Sequence, residues 1–139
     1  RGSTNTLTVA SVTQVFHRIV KCPTGQDTTV ATFASVADDS AVSGSLDVED
    51  VKYIRVTNLD GTNPVNLSLQ IDAGEDDSAA DESATILIAA GRSFIMGVPS
   101  DGLAVSDANA TLVDTLHNLE SLLIDPLSNA VTVEVFIAS

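Results

Sequence analysis

The chain has 139 residues, of which 44% are hydrophobic and only 4% aromatic, and it has no tryptophan. This length suits a single domain over residues 1–139, with a core built from Val, Ile, Leu and Ala. The formal net charge of −13 argues against a nucleic-acid partner, because phosphate-binding surfaces need clustered Lys and Arg. No apolar run approaches the ~20 residues that a membrane-spanning helix needs, so no membrane partner is expected.

The six basic residues are distributed unevenly along the chain. Five of them lie before residue 61, whereas from Gly61 onward Arg92 stands alone against twelve acidic residues. The acidic part should repel nucleic acid and anionic lipid. The N-terminal segment is therefore the better candidate for docking on a protein partner or on another copy of the chain.

The first third of the chain predicts an arm followed by strands. Residues 1–6 are polar and predict a short flexible arm. The run Leu7–Val20 is rich in β-branched residues and alternates imperfectly, which predicts one long bent strand or two short ones. Turn formers separate it from Thr28–Val36, a second predicted strand. Residues 40–49 are small and polar and predict a loop or an edge segment.

The central stretch predicts a β-hairpin. A β-branched and aromatic run, Val51–Thr57, meets the turn formers of Asn58–Pro64. The chain then alternates strictly over Val65–Asp72, with Val and Leu on one side and Asn, Ser and Gln on the other. A period of two flanked by Asp-Gly and Asn-Pro predicts two antiparallel strands with one buried face.

An acidic run follows the hairpin and contains no base. Its six acids are Asp72, Glu75, Asp76, Asp77, Asp81 and Glu82. Such a run predicts a solvated loop, because its charges have no partners within it. The alternative is a calcium site with these six residues as candidate ligands, since calcium prefers carboxylate oxygens from a flexible loop. Their spacing does not match an EF-hand.

The last third alternates clear strands with one ambiguous segment. Ala84–Ile88 and Ser93–Met96 predict strands around a tight turn, and Val131–Ile137 alternates strictly. Between them, the leucines and the valine of 112–123 fall at helical spacings, while 120–124 is typical of a strand entering a turn. We expect one short helix or irregular crossing near 110–117, then a strand from about Leu119.

Together these patterns predict an all-β antiparallel sandwich, jelly-roll-like, with about seven to nine strands and at most one short helix. Regularly spaced turn signals between short strands favour a sandwich over a barrel. No repeat that would indicate a solenoid or propeller is evident.

No residue pattern predicts catalysis, a cofactor or an established metal site. Cys22 is the single cysteine, so we expect a buried free thiol with no disulfide within the chain. His17 and His117 are the two histidines, and we expect structural roles for both. No phosphate-binding loop, dinucleotide motif or zinc-protease motif occurs, so an enzyme is not expected.

Three stretches, Tyr53–Leu69, Ile86–Gly97 and Val133–Ser139, resemble small virion structural proteins of tailed bacteriophages. The resemblance covers the C-terminal two thirds and consists of strand and turn patterns, without catalytic residues. It implies a β-sandwich that decorates or cements the capsid, with the major capsid protein as partner and the virion as location. A homotrimer or dimer docking through the N-terminal segment is expected.

A carbohydrate- or receptor-binding fibre or tail module is the alternative. Sugar sites usually offer aromatic platforms, and the chain has only five aromatic side chains besides its histidines. Most of these stand within apolar runs that should face the core. The sequence therefore favours capsid decoration.

Overall fold

A computed structural model describes residues 2, 4–35, 44–72, 82–106 and 115–139. Over these ranges the chain forms nine β-strands and no helix. The strands are β1 (Val15–Cys22), β2 (Thr28–Ala34), β3 (Leu46–Asp47), β4 (Tyr53–Asn58), β5 (Val65–Asp72), β6 (Glu82–Ile88), β7 (Ser93–Met96), β8 (Asn118–Asp125) and β9 (Val131–Ala138). The prediction of an all-β chain is confirmed. The predicted central β-hairpin is wrong, because β4 and β5 do not pair with each other and belong to different sheets.

The strands form two sheets that enclose one core. The four-stranded sheet has the order β1-β9-β4-β7, and the five-stranded sheet has the order β3-β2-β8-β5-β6. Apart from the two-residue parallel pairing of β3 with β2, the neighbouring strands run antiparallel. With β3 set aside, the partners nest as β1 with β9, β2 with β8, β4 with β7 and β5 with β6. This nesting over two sheets is the jelly-roll arrangement.

Alternation along the strands decides which side chains form the core. Along β5 the Val, Leu and Ile side chains are buried while the Asn, Ser, Gln and Asp side chains are partly exposed. The same holds along β9, where Val133 and Val135 have no exposed surface. Successive side chains of a strand point to opposite faces, so each sheet presents one apolar face to the other.

The predicted first strand is wrong in its first half. Residues 7–14 lie outside any sheet, and β1 begins only at Val15. The backbone of Thr13 and Gln14 donates to the Ser139 carbonyl oxygen at 2.7 and 2.9 Å, which holds the entry to β1. The strand-forming sequence before Ser11 has no neighbouring strand among the described residues, so propensity alone does not place it in a sheet.

The structure decides between helix and irregular crossing for part of the ambiguous segment near 110–117. Residues 115–117 are not helical, and the His117 backbone forms a bridge with Leu103, as expected for an irregular crossing. Residues 107–114 lie outside the described residues. The strand expected from about Leu119 is confirmed, since β8 begins at Asn118.

The described part of the chain contains no helix with the length and hydrophobicity that a membrane crossing requires.

Candidate functional site

The two outer faces of the sandwich differ in composition. The outer face of the four-stranded sheet carries alternate residues of β1, β9, β4 and β7. Its side chains are Val15, His17, Ile19, Lys21, Thr132, Glu134, Phe136, Tyr53, Arg55, Thr57, Ser93 and Ile95. This set, called the aromatic face below, combines two aromatic rings, three aliphatic side chains and a small group of charges.

A carboxylate at the centre of the aromatic face joins three strands. Glu134 of β9 accepts a hydrogen bond from His17 Nε2 of β1 at 3.0 Å and one from Arg55 Nη2 of β4 at 2.8 Å. The His17 hydrogen bond, with a smaller contribution from Arg55, holds the pKa of Glu134 below its ordinary value against the opposing effect of partial burial. The Glu134 carboxylate thus links β9 to both of its neighbouring strands.

An aromatic ring lies beside this ion cluster. Phe136 pairs directly with His17 on one side and with Arg55 on the other. The His17 and Tyr53 ring centroids lie 6.1 and 6.2 Å from that of Phe136, and the Arg55 guanidinium lies 5.6 Å from it. These are ordinary distances for tilted aromatic pairs and for a cation over a ring. The cluster is a cross-strand network that fixes the register of three strands.

The outer face of the five-stranded sheet is polar and acidic. Its described side chains are Thr29, Asn66, Ser68, Gln70, Asp72, Ser83, Thr85, Leu87, Ser121, Leu123 and Asp125. They include no aromatic ring and no base, and this set is called the hydroxyl face below. Lys21 and Arg55 against Glu134 make the aromatic face the less acidic of the two.

The candidate calcium ligands fall mostly outside the described residues. Asp72 ends β5 and Glu82 begins β6, so the predicted acidic run connects these two strands. The other four candidates lie at 75, 76, 77 and 81, which the structure does not describe. Among the described residues no three His, Cys, Asp or Glu side chains form a group able to hold a metal ion. Calcium binding stays a prediction.

Sequence reasoning missed the partner of His17. It found no Asp, Cys or second His near position 17, but Glu134 lies 117 positions further along the chain. Only the pairing of β1 with β9 brings the two together. One local signal existed, because Glu134 is the single charged residue in the otherwise apolar last strand.

Cys22 is a buried thiol, as expected. Its side chain has no exposed surface, and burial raises its pKa above the ordinary value, partly offset by Thr28. A raised pKa keeps the sulfur in the unreactive thiol form.

A shallow cleft opens between β1 and β2 at one side of the sandwich. Its volume is about 100 Å³, and Phe16, Arg18 and Thr29–Thr32 contribute to its lining. Small-molecule sites usually occupy ~300 Å³ or more. The cleft therefore has room for water but is small for a sugar or a cofactor.

The Glu134 cluster predicts a pH-dependent stability. A carboxylate whose pKa is lowered by folding stabilises the folded state above its unfolded pKa and loses that effect as pH falls through the folded pKa. Wild type should be more stable than Glu134→Gln at neutral pH, and the gap should narrow below about pH 4.5, the ordinary value for this group. Urea unfolding of both proteins between pH 7 and pH 3 measures the gap. A gap independent of pH would contradict the assigned roles of His17 and Arg55.

The comparisons with known proteins give little similarity. No protein-family model and no curated protein matches the chain. A solved structure from a study of Bacillus endospore appendages, described there as a family of disulfide-linked pili, aligns with 96% of this chain and 95% of its own. The identity is 18% and the TM-score is 0.37, so the likeness carries no functional residue over to this chain.

Proposed function

We propose that this chain is a non-enzymatic structural protein of a phage particle, attached to the capsid through its aromatic face. The observation that carries the proposal is the contrast between the two outer faces. One face has the composition of a protein interface, and the other has the composition of a surface exposed to water. The sequence resemblance to small virion proteins supplies the identity of the partner.

The aromatic face has the features of an interface core. Tyr, Phe and Arg are enriched in such cores, and acidic residues are depleted there. Three of its aliphatic side chains, Val15, Ile19 and Ile95, are 53%, 63% and 59% exposed. Among the described residues the hydroxyl face has one side chain of this kind, Leu87 at 61%, so the aromatic face is the better candidate for burial against another protein.

The hydroxyl face suits the outside of a particle. Its Ser, Thr, Asn and Gln side chains keep it hydrated, and Asp72 and Asp125 add negative charge. Like charge on neighbouring particles limits their association and repels free nucleic acid. Segment 4–14 leads into β1 at the edge of the aromatic face, so the predicted N-terminal docking segment adjoins this face.

Adding charge to the aromatic face should weaken attachment. Ile19→Glu and Ile95→Glu each place a carboxylate on the proposed interface at a position exposed enough to leave the fold intact. Burying that charge should weaken attachment to stripped capsids about tenfold or more, which corresponds to ~1.4 kcal/mol. Co-sedimentation of purified protein with capsids stripped of their accessory proteins measures this loss.

The matched control is Thr29→Glu, which adds the same charge to the hydroxyl face. Thr29→Glu should bind as wild type does. Equal loss in all three variants would assign the effect to net charge and overturn the chosen face. No attachment by wild type would overturn the capsid assignment.

A sugar-binding surface is the second candidate, and one observation favours it. Tyr53 and Phe136 lie together on the outer face, beside the Arg55 and Glu134 side chains. Rings beside charged hydrogen-bonding groups are what a sugar site uses. The scarcity of aromatics counted against this function in the sequence, yet two of the five share one surface. Binding of wild type to a glycan array, lost in Tyr53→Ala, would favour this function over capsid attachment.

A further inference from the structure

We infer that residues 4–10 of one copy add as an extra strand in a second copy, along the edge of β6 that no described strand occupies. Two observations meet here. A strand-forming segment lies outside any sheet, and a strand in the same fold has an unprotected edge. The inference concerns contacts between copies and is independent of what the assembled copies are attached to.

The donor segment has the sequence of a strand without the neighbours of one. It runs Thr-Asn-Thr-Leu-Thr-Val-Ala over 4–10, contains no charged residue and ends at Ser11, whose φ of 57° breaks the extended backbone. Leu7 is 74% exposed. Among the described residues, the hydrogen bonds that hold this part of the chain begin at the Ser11 carbonyl oxygen, to which Lys52 Nζ donates at 2.6 Å. A β-branched, uncharged and exposed segment gains most from pairing its backbone with a sheet.

The acceptor edge lacks the protection that edge strands usually carry. Among the described residues β6 pairs with β5 alone, and the Val105 backbone donates to the Glu82 carboxylate at 3.3 Å, so the unoccupied edge begins after Glu82. Its residues 83–88 are Ser-Ala-Thr-Ile-Leu-Ile, with no charge and no proline. Edge strands are commonly protected from pairing by charges, by proline or by short length. β6 has seven residues and, after Glu82, none of these devices.

The other edges of the two sheets differ from β6. β1 carries Lys21 on its outer side and Arg18 on its inner side, and inward charges are a recognised block to edge pairing. β3 has two residues and β7 has four, so neither offers a long row of backbone groups. β3 covers only Phe33 and Ala34 of β2, but the remaining edge of β2 is interrupted by a bulge between Thr29 and Ala31, which hinders regular pairing. The β6 edge is thus the described edge best suited to accept a strand.

The side chains of donor and acceptor are complementary. Ala84 and Ile86 of β6 contact the core but stay partly exposed at the side of the sandwich. In an added strand, Leu7 and Val9 lie on one side and would cover them, while Thr8 would lie outward beside Thr85. The donor segment and residues 83–88 of β6 are uncharged, which matters because each copy has a net charge of −13. Salt should strengthen the association by screening the repulsion between copies.

The position of the segment favours a second copy over the same one. It enters β1, whose inner side lines the cleft with β2, and β6 lies three strands beyond β2 in the opposite sheet. Neighbouring strands are ~4.8 Å apart, so the segment would have to cross the width of the sandwich. Seven extended residues span at most ~25 Å, which is short for this crossing. The experiment must therefore distinguish pairing within one chain from pairing between two copies.

Cysteine crosslinking between two different variants tests the inference. Thr8→Cys is mixed with Ser83→Cys, Thr85→Cys or Leu87→Cys, three outward positions that cover the possible registers of β6. Cys22 is fully buried and does not compete. After mild oxidation, heterodimers should form with at least one β6 variant. They should be about tenfold scarcer with Thr29→Cys, the matched control on the far side of the same face.

A second measurement uses the chain without residues 1–10. Analytical ultracentrifugation should show concentration-dependent association of the full chain, stronger at high salt, and a monomer for the shortened chain. Crosslinking within a Thr8→Cys/Thr85→Cys double variant but not between mixed single variants would overturn the inference in favour of self-pairing. Equal crosslinking to Thr29→Cys, no crosslinking at all, or unchanged association after shortening would also overturn it. None of these outcomes alters the capsid-binding test, which depends on Ile19 and Ile95.

Discussion

Leu122→Ala should destabilise the protein by about 3–4 kcal/mol, whereas Leu123→Ala should cost less than about 1 kcal/mol. The two leucines are neighbours on β8, the strand between β2 and β5. Leu122 has no exposed surface and belongs to the core, while Leu123 points to the hydroxyl face and is half-buried. Removing Leu122 leaves a cavity that a central strand cannot close by shifting.

Urea unfolding followed by circular dichroism measures both costs on the same strand with the same chemical change. Each variant serves as the control for the other, because the change from Leu to Ala alters the strand propensity equally at both positions. Similar costs for the two variants would mean that β8 has a different register from the one described, in which Leu122 points inward and Leu123 outward.

A bulge in β8 explains why this part of the chain was hard to predict. Leu119 and Leu122 both point inward although they are three positions apart, because the register of β8 with β5 shifts between Gln70 and Ile71. A bulge adds one residue to one strand and resets the alternation. Apolar residues three apart also predict a helix, so the same spacing supported both interpretations of 112–123. Sequence period cannot separate a bulged strand from one helical turn.

The strands that were predicted well are those whose signal is local. β5 and β9 alternate without interruption, and their buried faces follow directly from period two. The two-residue strand β3 is the edge segment expected within 40–49, and its Leu46 is buried as an anchor. The local alternation of side chains was sufficient to predict a strand wherever one of its faces was exposed to water and the other was buried.

The aromatic face was not predictable in the same way. It depends on which strands become neighbours, and His17, Arg55 and Glu134 are far apart in sequence. Pairing partners in a jelly roll are set by long-range closure, which leaves no local trace in composition. Docking through the N-terminal segment stays a prediction, and β1 of that segment forms one edge of this face.

Asn58 is a second residue whose structural role could not be predicted from its neighbours in the sequence. In the sequence it stands among turn formers, yet its side chain has no exposed surface. Its Nδ2 donates to the carbonyl oxygens of Asn63 at 2.8 Å and Ile88 at 3.2 Å, and its Oδ1 accepts from the Asp60 backbone at 2.9 Å. Ile88 ends β6 in the other sheet, so this amide links the β4–β5 loop to both sheets.

Asn58→Asp should therefore cost about 3–5 kcal/mol at neutral pH. The shape is kept, but both donated hydrogen bonds are lost and a buried carboxylate faces two carbonyl oxygens. Burial should raise the pKa of the introduced carboxyl above its unfolded value, so the folded variant binds its proton more tightly than the unfolded chain does. The stability difference from wild type should shrink as pH falls from 7 toward about 4, without vanishing, since the protonated group donates to one carbonyl only.

Asn129→Asp is the matched control, because Asn129 is exposed in the turn between β8 and β9. It should change the free energy of unfolding by less than about 0.5 kcal/mol at each pH. Urea unfolding of wild type and both variants from pH 7 to pH 4 measures these differences. If Asn58→Asp resembled the control, the loop would be held by the Asp60 hydrogen bonds to Thr62 and Asn63 alone. The buried amide would then not be what joins the two sheets at this end of the sandwich.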